Sequence, residues 1–176
     1  MTRLQNGQTF PALDVPAVGG GTISLPQSLR GSFGVVLIYR GAWCPYCQAQ
    51  LGGFQRASER LAAAGIKVVA LSVDDEATTI GTIEKFKLSF PVGHSANADK
   101  VAAITGAYTN DSPRYLQSTG FVLAPDGKIL IAVYSSGPLG RLVAEDVIGM
   151  VNYIKSKAAA YPHAAVGPPT RQARSP

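Results

Sequence analysis

The stretch Gly34 to Tyr39 reads GVVLIY, a continuous apolar run rich in β-branched side chains. Such a run suits a strand buried on both faces, because it leaves no polar position for solvent. Arg40-Gly41-Ala42-Trp43-Cys44-Pro45-Tyr46-Cys47 follows at once, and the pattern then switches to helical spacing over 45–63, with Leu51, Phe54 and Leu61 on one stripe. Pro45 fits a first helical turn, where its missing N–H costs nothing. Gly65 marks the helix end, and Ile66 to Val73 (IKVVALSV) is a second buried strand. Strand, helix, strand in this order predicts a βαβ unit with parallel strands and a right-handed crossover.

The remaining chain fits around that unit. Gly19-Gly20-Gly21, between short apolar pieces, predicts the turn of a small hairpin. Asp74, Asp75 and Glu76 favour a helix N-terminus, with the helix running to about Leu88. Phe90-Pro91-Val92 reads as a short extended piece, and Asn97 as the cap of a helix carrying Val101 and Ile104. Phe121 to Ala124, the turn Pro125-Asp126-Gly127, and Lys128 to Tyr134 form a hairpin. A final helix covers 141–157, with Leu142, Val147, Met150, Val151 and Ile154 largely on one side. The prediction is one α/β domain over 1–157, with a mixed central sheet and helices on both faces. Residues 158–176 are rich in Ala and Pro without periodicity, and read as a mostly disordered tail or an arm laid on a neighbouring surface.

Composition excludes several classes. With 46% hydrophobic and 15% charged residues, the chain suits a packed domain. The net charge of +5 is scattered, with no Lys/Arg run, so neither nucleic acid nor a membrane is an expected partner. The longest apolar runs fall well short of a bilayer span, and no apolar stretch follows the early arginine as in a signal peptide. A cytoplasmic setting with reduced thiols is the expectation.

Cys44 and Cys47 are the only cysteines, too few for a disulfide scaffold or a four-cysteine metal site. Their spacing at a strand-to-helix junction puts Cys44 near the N-cap and Cys47 in the first turn. Unpaired N–H groups and the positive dipole end there favour thiolate. Two sulfurs so placed can bridge, which makes a redox couple. Inert core cysteines, or half a zinc site completed by His94 or His163, are the competing readings; the prediction is no metal and no organic cofactor. Arg40, if aimed at the pocket, would stabilise thiolate. Trp43 is read evenly as a shield for the sulfurs or a core aromatic. Tyr39 is expected to pack at the strand end, Asp74 and Asp75 to serve the helix start, and His94 to sit in a solvated loop.

The strand–CxxC–helix start, the βαβ unit and the later hairpin and helix resemble the thioredoxin-like superfamily. More narrowly, YRGAWCPYCQAQL resembles the peroxiredoxin-like branch, the alkyl hydroperoxide reductase and thiol-specific antioxidant family. The resemblance extends over residues 5–157, including FVLAPDGKIL and GPLGRL. It implies a thioredoxin-like fold. In the family pattern P-x-x-x-T-x-x-C, Cys47 takes the peroxidatic position, Cys44 the threonine position and Arg40 the proline position. Gln50 falls where many members have Glu. Arg141 matches a family arginine, Ser118 stands near the place of another, and Thr119 falls where thioredoxins have a cis-proline.

The implied activity is a thiol-dependent peroxidase acting on hydrogen peroxide or organic hydroperoxides. Cys47 attacks and becomes a sulfenic acid, Cys44 condenses with it, and a reductant such as thioredoxin or glutaredoxin restores both thiols. Arg40 and Arg141 would stabilise charge, with Trp43, Tyr39 and Thr119 around the substrate, and a homodimer is a further expectation. The thioredoxin pattern W-C-x-x-C instead makes Cys44 the nucleophile of a protein disulfide reductase. A non-enzymatic redox sensor or binding module is the third reading.

Overall fold

A computed structural model describes residues 2–160. A hairpin of β1 (Leu13–Pro16) and β2 (Thr22–Leu25) leads into β3 (Phe33–Ile38). After β3 come α1 (Pro45–Arg56), α2 (Ser58–Ala63), β4 (Ile66–Leu71), α3 (Glu76–Phe86), β5 (Val92–Gly93) and α4 (Ala98–Thr105). A small ladder of β6 (Thr109–Asn110) and β7 (Tyr115–Leu116) precedes β8 (Thr119–Leu123), β9 (Ile129–Tyr134) and α5 (Ala144–Ala160).

The central sheet has the order β5-β4-β3-β8-β9. β3 is parallel to β4 and antiparallel to β8, so the sheet is mixed. Alternation along β3 divides the core in two. Val35, Leu37 and Tyr39 pack with Leu51, Phe54 and Leu61 of α1 and α2 and with Val147 and Val151 of α5. Val36 and Ile38 face the other way, against Leu13 and Leu25 of the hairpin and Val101 and Ala102 of α4. Helices thus cover both faces, as the buried central strand requires.

The caps follow the expected chemistry. Asp75 accepts the Thr78 N–H at 2.8 Å and Asn97 accepts the Lys100 N–H at 2.9 Å. Several strand ends shift by one or two residues from the sequence prediction, and three helix boundaries differ more. The helix expected over 45–63 breaks at Ala57, whose backbone leaves the helical range (φ −92°, ψ 4°) and whose N–H turns back to Gly53 and Gln55. Gly52 and Gly53 weaken the preceding turns, and the break lets α2 lie on β4 with Ala57 buried. The last helix starts at Ala144, because 141–143 form part of the approach to the site. It also runs to Ala160, beyond the predicted edge of the tail. The rest of that tail, 161–176, lies outside the described residues.

Candidate active site

Cys44 is the N-cap of α1, in extended conformation, and its Sγ accepts the Cys47 N–H at 3.4 Å. Pro45 fills the next position and Cys47 completes the first turn. The dithiol therefore lies at the positive end of the helix, beneath the end of β3. The two cysteines are not bridged to each other, and both are fully buried. Gly41 makes the turn between strand and helix with φ +149°, and a Cβ there would lie 2.5 Å from Trp43 Nε1 and 3.0 Å from Asp74 Oδ1. Asp74 fixes the same turn, its Oδ2 accepting the Ala42 N–H at 2.8 Å and the Ser72 hydroxyl at 3.0 Å.

Two arginines converge on the sulfurs. The Arg40 backbone N–H points to Cys47 Sγ at 3.4 Å, and its Nη1 lies 3.8 Å from Cys44 Sγ. Its Nη2 donates to the Tyr115 hydroxyl at 2.8 Å. Arg141 arrives from the segment between β9 and α5, with Nη2 3.3 Å from Cys47 Sγ and 3.7 Å from Cys44 Sγ. Its other nitrogens donate to Gln50 Oε1 and to the Pro138 carbonyl, each at 2.9 Å.

These neighbours separate the two thiols. For Cys44, burial raises the pKa, but hydrogen bonds from Cys47, the charge of Arg141 and a hydrogen bond from Arg40 outweigh it, and the net shift is downward. For Cys47, burial dominates and pushes the thiol from 9.0 to about 11; its hydrogen bond to Cys44 works in the same direction. The two opposed shifts favour thiolate on Cys44 over thiolate on Cys47.

The other predicted site residues divide clearly. Trp43 is 54% exposed, so it is no core aromatic; it stands edge-on to Tyr115 at 5.1 Å with the Arg40 guanidinium 4.8 Å from its ring. Tyr39, predicted to surround substrate, is fully buried behind the sulfurs. Burial raises its phenol to about 12, and its hydroxyl has no well-formed hydrogen bond. Thr119 is also buried, its hydroxyl turned to the Gln117 carbonyl at 3.3 Å. Its place on the sheet is fixed by pairing with Ile38 and Tyr134, which leaves it a core position. His94 faces Glu76 at 3.8 Å. Among the described residues no cluster of three or more His, Cys, Asp or Glu is placed to hold a metal.

Tyr115 and the loop-fixing role of Asp74 were not foreseen from sequence. Tyr115 belongs to a two-residue strand too short to give a periodic signal. Beside Arg141 runs a groove of about 340 Å³, lined by Tyr46, Gln50, Gly53, Arg56 and Val143 among others. A larger cavity of about 480 Å³, lined by residues such as Leu29, Leu61 and Phe90, includes neither cysteine nor either site arginine.

Residues 6–131 match the family model described as the AhpC/TSA family. A peroxiredoxin of Treponema denticola is 27% identical over 147 residues, covering 80% of this chain and 69% of that protein. A peroxiredoxin of Chlorobaculum tepidum is 27% identical over 145 residues, covering 79% and 67%. Among solved structures, a mutant of peroxiredoxin 6 of Arenicola marina superposes with a TM-score of 0.77 at 18% identity, covering 88% of this chain and 75% of that one. The peroxidoxin BcpB of Mycobacterium tuberculosis gives 0.74 at 20% identity, covering 86% and 99%. Those two structures share the fold, and the family model spans most of the sheet and the whole dithiol turn. The chain therefore belongs to the AhpC/TSA family of peroxiredoxin-like, thioredoxin-fold proteins.

Proposed function

We propose that the protein is a thiol-dependent peroxidase whose redox couple is Cys44 and Cys47, with the resting thiolate on Cys44. The observation that carries this reading is the convergence of Arg40 and Arg141 on two sulfurs at one helix N-terminus. The Cys44 thiolate attacks the terminal oxygen of a hydroperoxide, the O–O bond breaks, and Cys44 becomes a sulfenic acid. The departing alkoxide or hydroxide takes the Cys47 proton and leaves as alcohol or water. The Cys47 thiolate then attacks Cys44 sulfur, forming the disulfide and expelling hydroxide. The guanidinium groups stabilise charge on sulfur and on the departing oxygen. A dithiol reductant of thioredoxin or glutaredoxin type returns both thiols by exchange, in the reducing cytoplasm.

This order reverses the one expected from motif position, which makes Cys47 the first nucleophile. The reason is burial set against hydrogen bonding: Arg141 reaches both sulfurs, but Cys44 also accepts the N-cap hydrogen bond and lies near Arg40 Nη1, whereas burial pushes the Cys47 thiol up. Separate Cys44→Ser and Cys47→Ser variants, oxidised with hydrogen peroxide and labelled for sulfenic acid, test it. The label is expected in Cys47→Ser and absent in Cys44→Ser. The opposite pattern restores the motif order, and label in neither variant removes the peroxidase reading.

The same Cys44 thiolate, beside the exposed Trp43, also supports a second reading as a protein disulfide reductase. Reduction of insulin disulfides at a rate exceeding peroxide turnover would favour it.

A further inference from the structure

Both guanidinium groups at the dithiol are held by neutral partners. Arg40 is bonded to the Tyr115 hydroxyl, and Arg141 to the Pro138 carbonyl and the Gln50 amide. Among the described residues neither lies within 4.0 Å of a carboxylate; the ion pairs use Arg60, His94, Arg114 and Lys128. Gln50 is engaged at both ends: Oε1 accepts from Arg141 Nη1 at 2.9 Å, and Nε2 donates to the Leu142 carbonyl at 3.0 Å. It thus ties the guanidinium to α1 and to the residue that follows Arg141. The sister nitrogen Nη2 is left facing Cys47 Sγ at 3.3 Å.

We propose that Gln50 is a positioning residue whose neutral amide aims Arg141 at the dithiol while leaving its full positive charge to act on sulfur. A carboxylate at this place would grip Arg141 more strongly, but its own negative charge would offset the cation within a few ångströms of the thiolate. The other charged or titratable groups around the sulfurs do not supply that negative charge. Arg40 comes from the turn before α1, and Tyr115 from β7. Tyr39 follows β3 and lies behind the sulfurs, its phenol pushed up by burial. Asp74 is engaged by the Ala42 N–H and the Ser72 hydroxyl. Across the groove Arg56 adds a second cation, and Glu145 of α5 is paired with Arg60 at 2.5 Å.

The inference takes its meaning from the peroxidase reading, but its test needs no peroxide. The thiolate of the reduced protein is titrated by ultraviolet absorbance in wild type, Gln50→Glu and Gln50→Met. Gln50→Glu keeps an acceptor for Arg141 and adds charge, so the Cys44 midpoint is expected to rise by about one pH unit. Gln50→Met deletes the contact without charge, and its rise is expected to be only about a third as large. A purely structural contact predicts the reverse order, so a Gln50→Glu shift equal to or smaller than that of Gln50→Met overturns the proposal. A second arm does not depend on how well Gln50→Glu folds. In an Arg141→Met background, Gln50→Met should move the midpoint no further; an undiminished shift there shows that Gln50 acts by another route, and likewise overturns it.

Discussion

Arg141 stands 94 residues from Cys47 in sequence and 3.3 Å from its sulfur in space. Its charge is what a single substitution can remove most cleanly, since its aliphatic stem is replaceable by methionine. Arg141→Met is expected to lower kcat/KM for peroxide by about 10²-fold, the scale of losing one donor aimed at developing charge. It should also raise the pH midpoint of the peroxide reaction. In wild type that rate is expected to climb with pH and level off below the ordinary thiol range, because the surroundings of Cys44 lower its thiol pKa. Stopped-flow rates across pH for both proteins check the two expectations together. At this scale the sequence was informative where chemistry is local. Cys44, Pro45 and Cys47 occupy the cap, the first and the third helix positions, and their roles as cap and first turn could be read directly. Arg141 was identified by resemblance, but no spacing rule shows that it reaches the sulfurs. Tyr115 and Asp74 were not legible as site residues, since they act on Arg40 and on the Ala42 N–H across 75 and 32 residues.

Elements bring these groups together through one close approach. Gly120 on β8 pairs with Leu37 of β3, and Leu142 packs directly over it. A Cβ at Gly120 would lie 2.7 Å from Leu142 Cδ1 and 2.9 Å from its Cγ. Leu142 follows Arg141 in the chain and gives its carbonyl to Gln50, so the missing Cβ sets how near the guanidinium comes to the dithiol. Gly120→Ala is expected to destabilise by about 1–3 kcal/mol, the usual scale of overpacking, and to lower the peroxide rate as Arg141 is displaced. Chemical denaturation and stopped-flow kinetics on the same protein check it; a normal rate would separate Gly120 from the site. The buried runs at β3 and β4 were readable because both faces of these central strands are apolar apart from the exposed Lys67 near the start of β4. The break at Ala57 was not, because Leu51, Phe54 and Leu61 keep helical spacing straight across it.

The whole molecule is two cores sharing one sheet, and the site lies in the core beneath α1, α2 and α5. Burying a thiol there has a cost that depends on pH. Cys47 is raised from 9.0 to about 11, so between those values the unfolded chain loses a proton that the folded protein retains. Stability therefore falls as pH rises through that window, and Tyr39, raised to about 12, extends the fall above it. Urea denaturation of the reduced protein between pH 9 and pH 11 should show this decline, and Cys47→Ser should flatten its first part.

Trp43, the only tryptophan, precedes Cys44 and rests on Arg40 and Tyr115, so its fluorescence reports directly on the dithiol. Mixing reduced protein with hydrogen peroxide in a stopped-flow instrument is the most direct test of the central claim. The account predicts a fluorescence change whose rate is linear in peroxide and exceeds that of free cysteine by about 10²-fold or more. A rate no faster than free cysteine would contradict it.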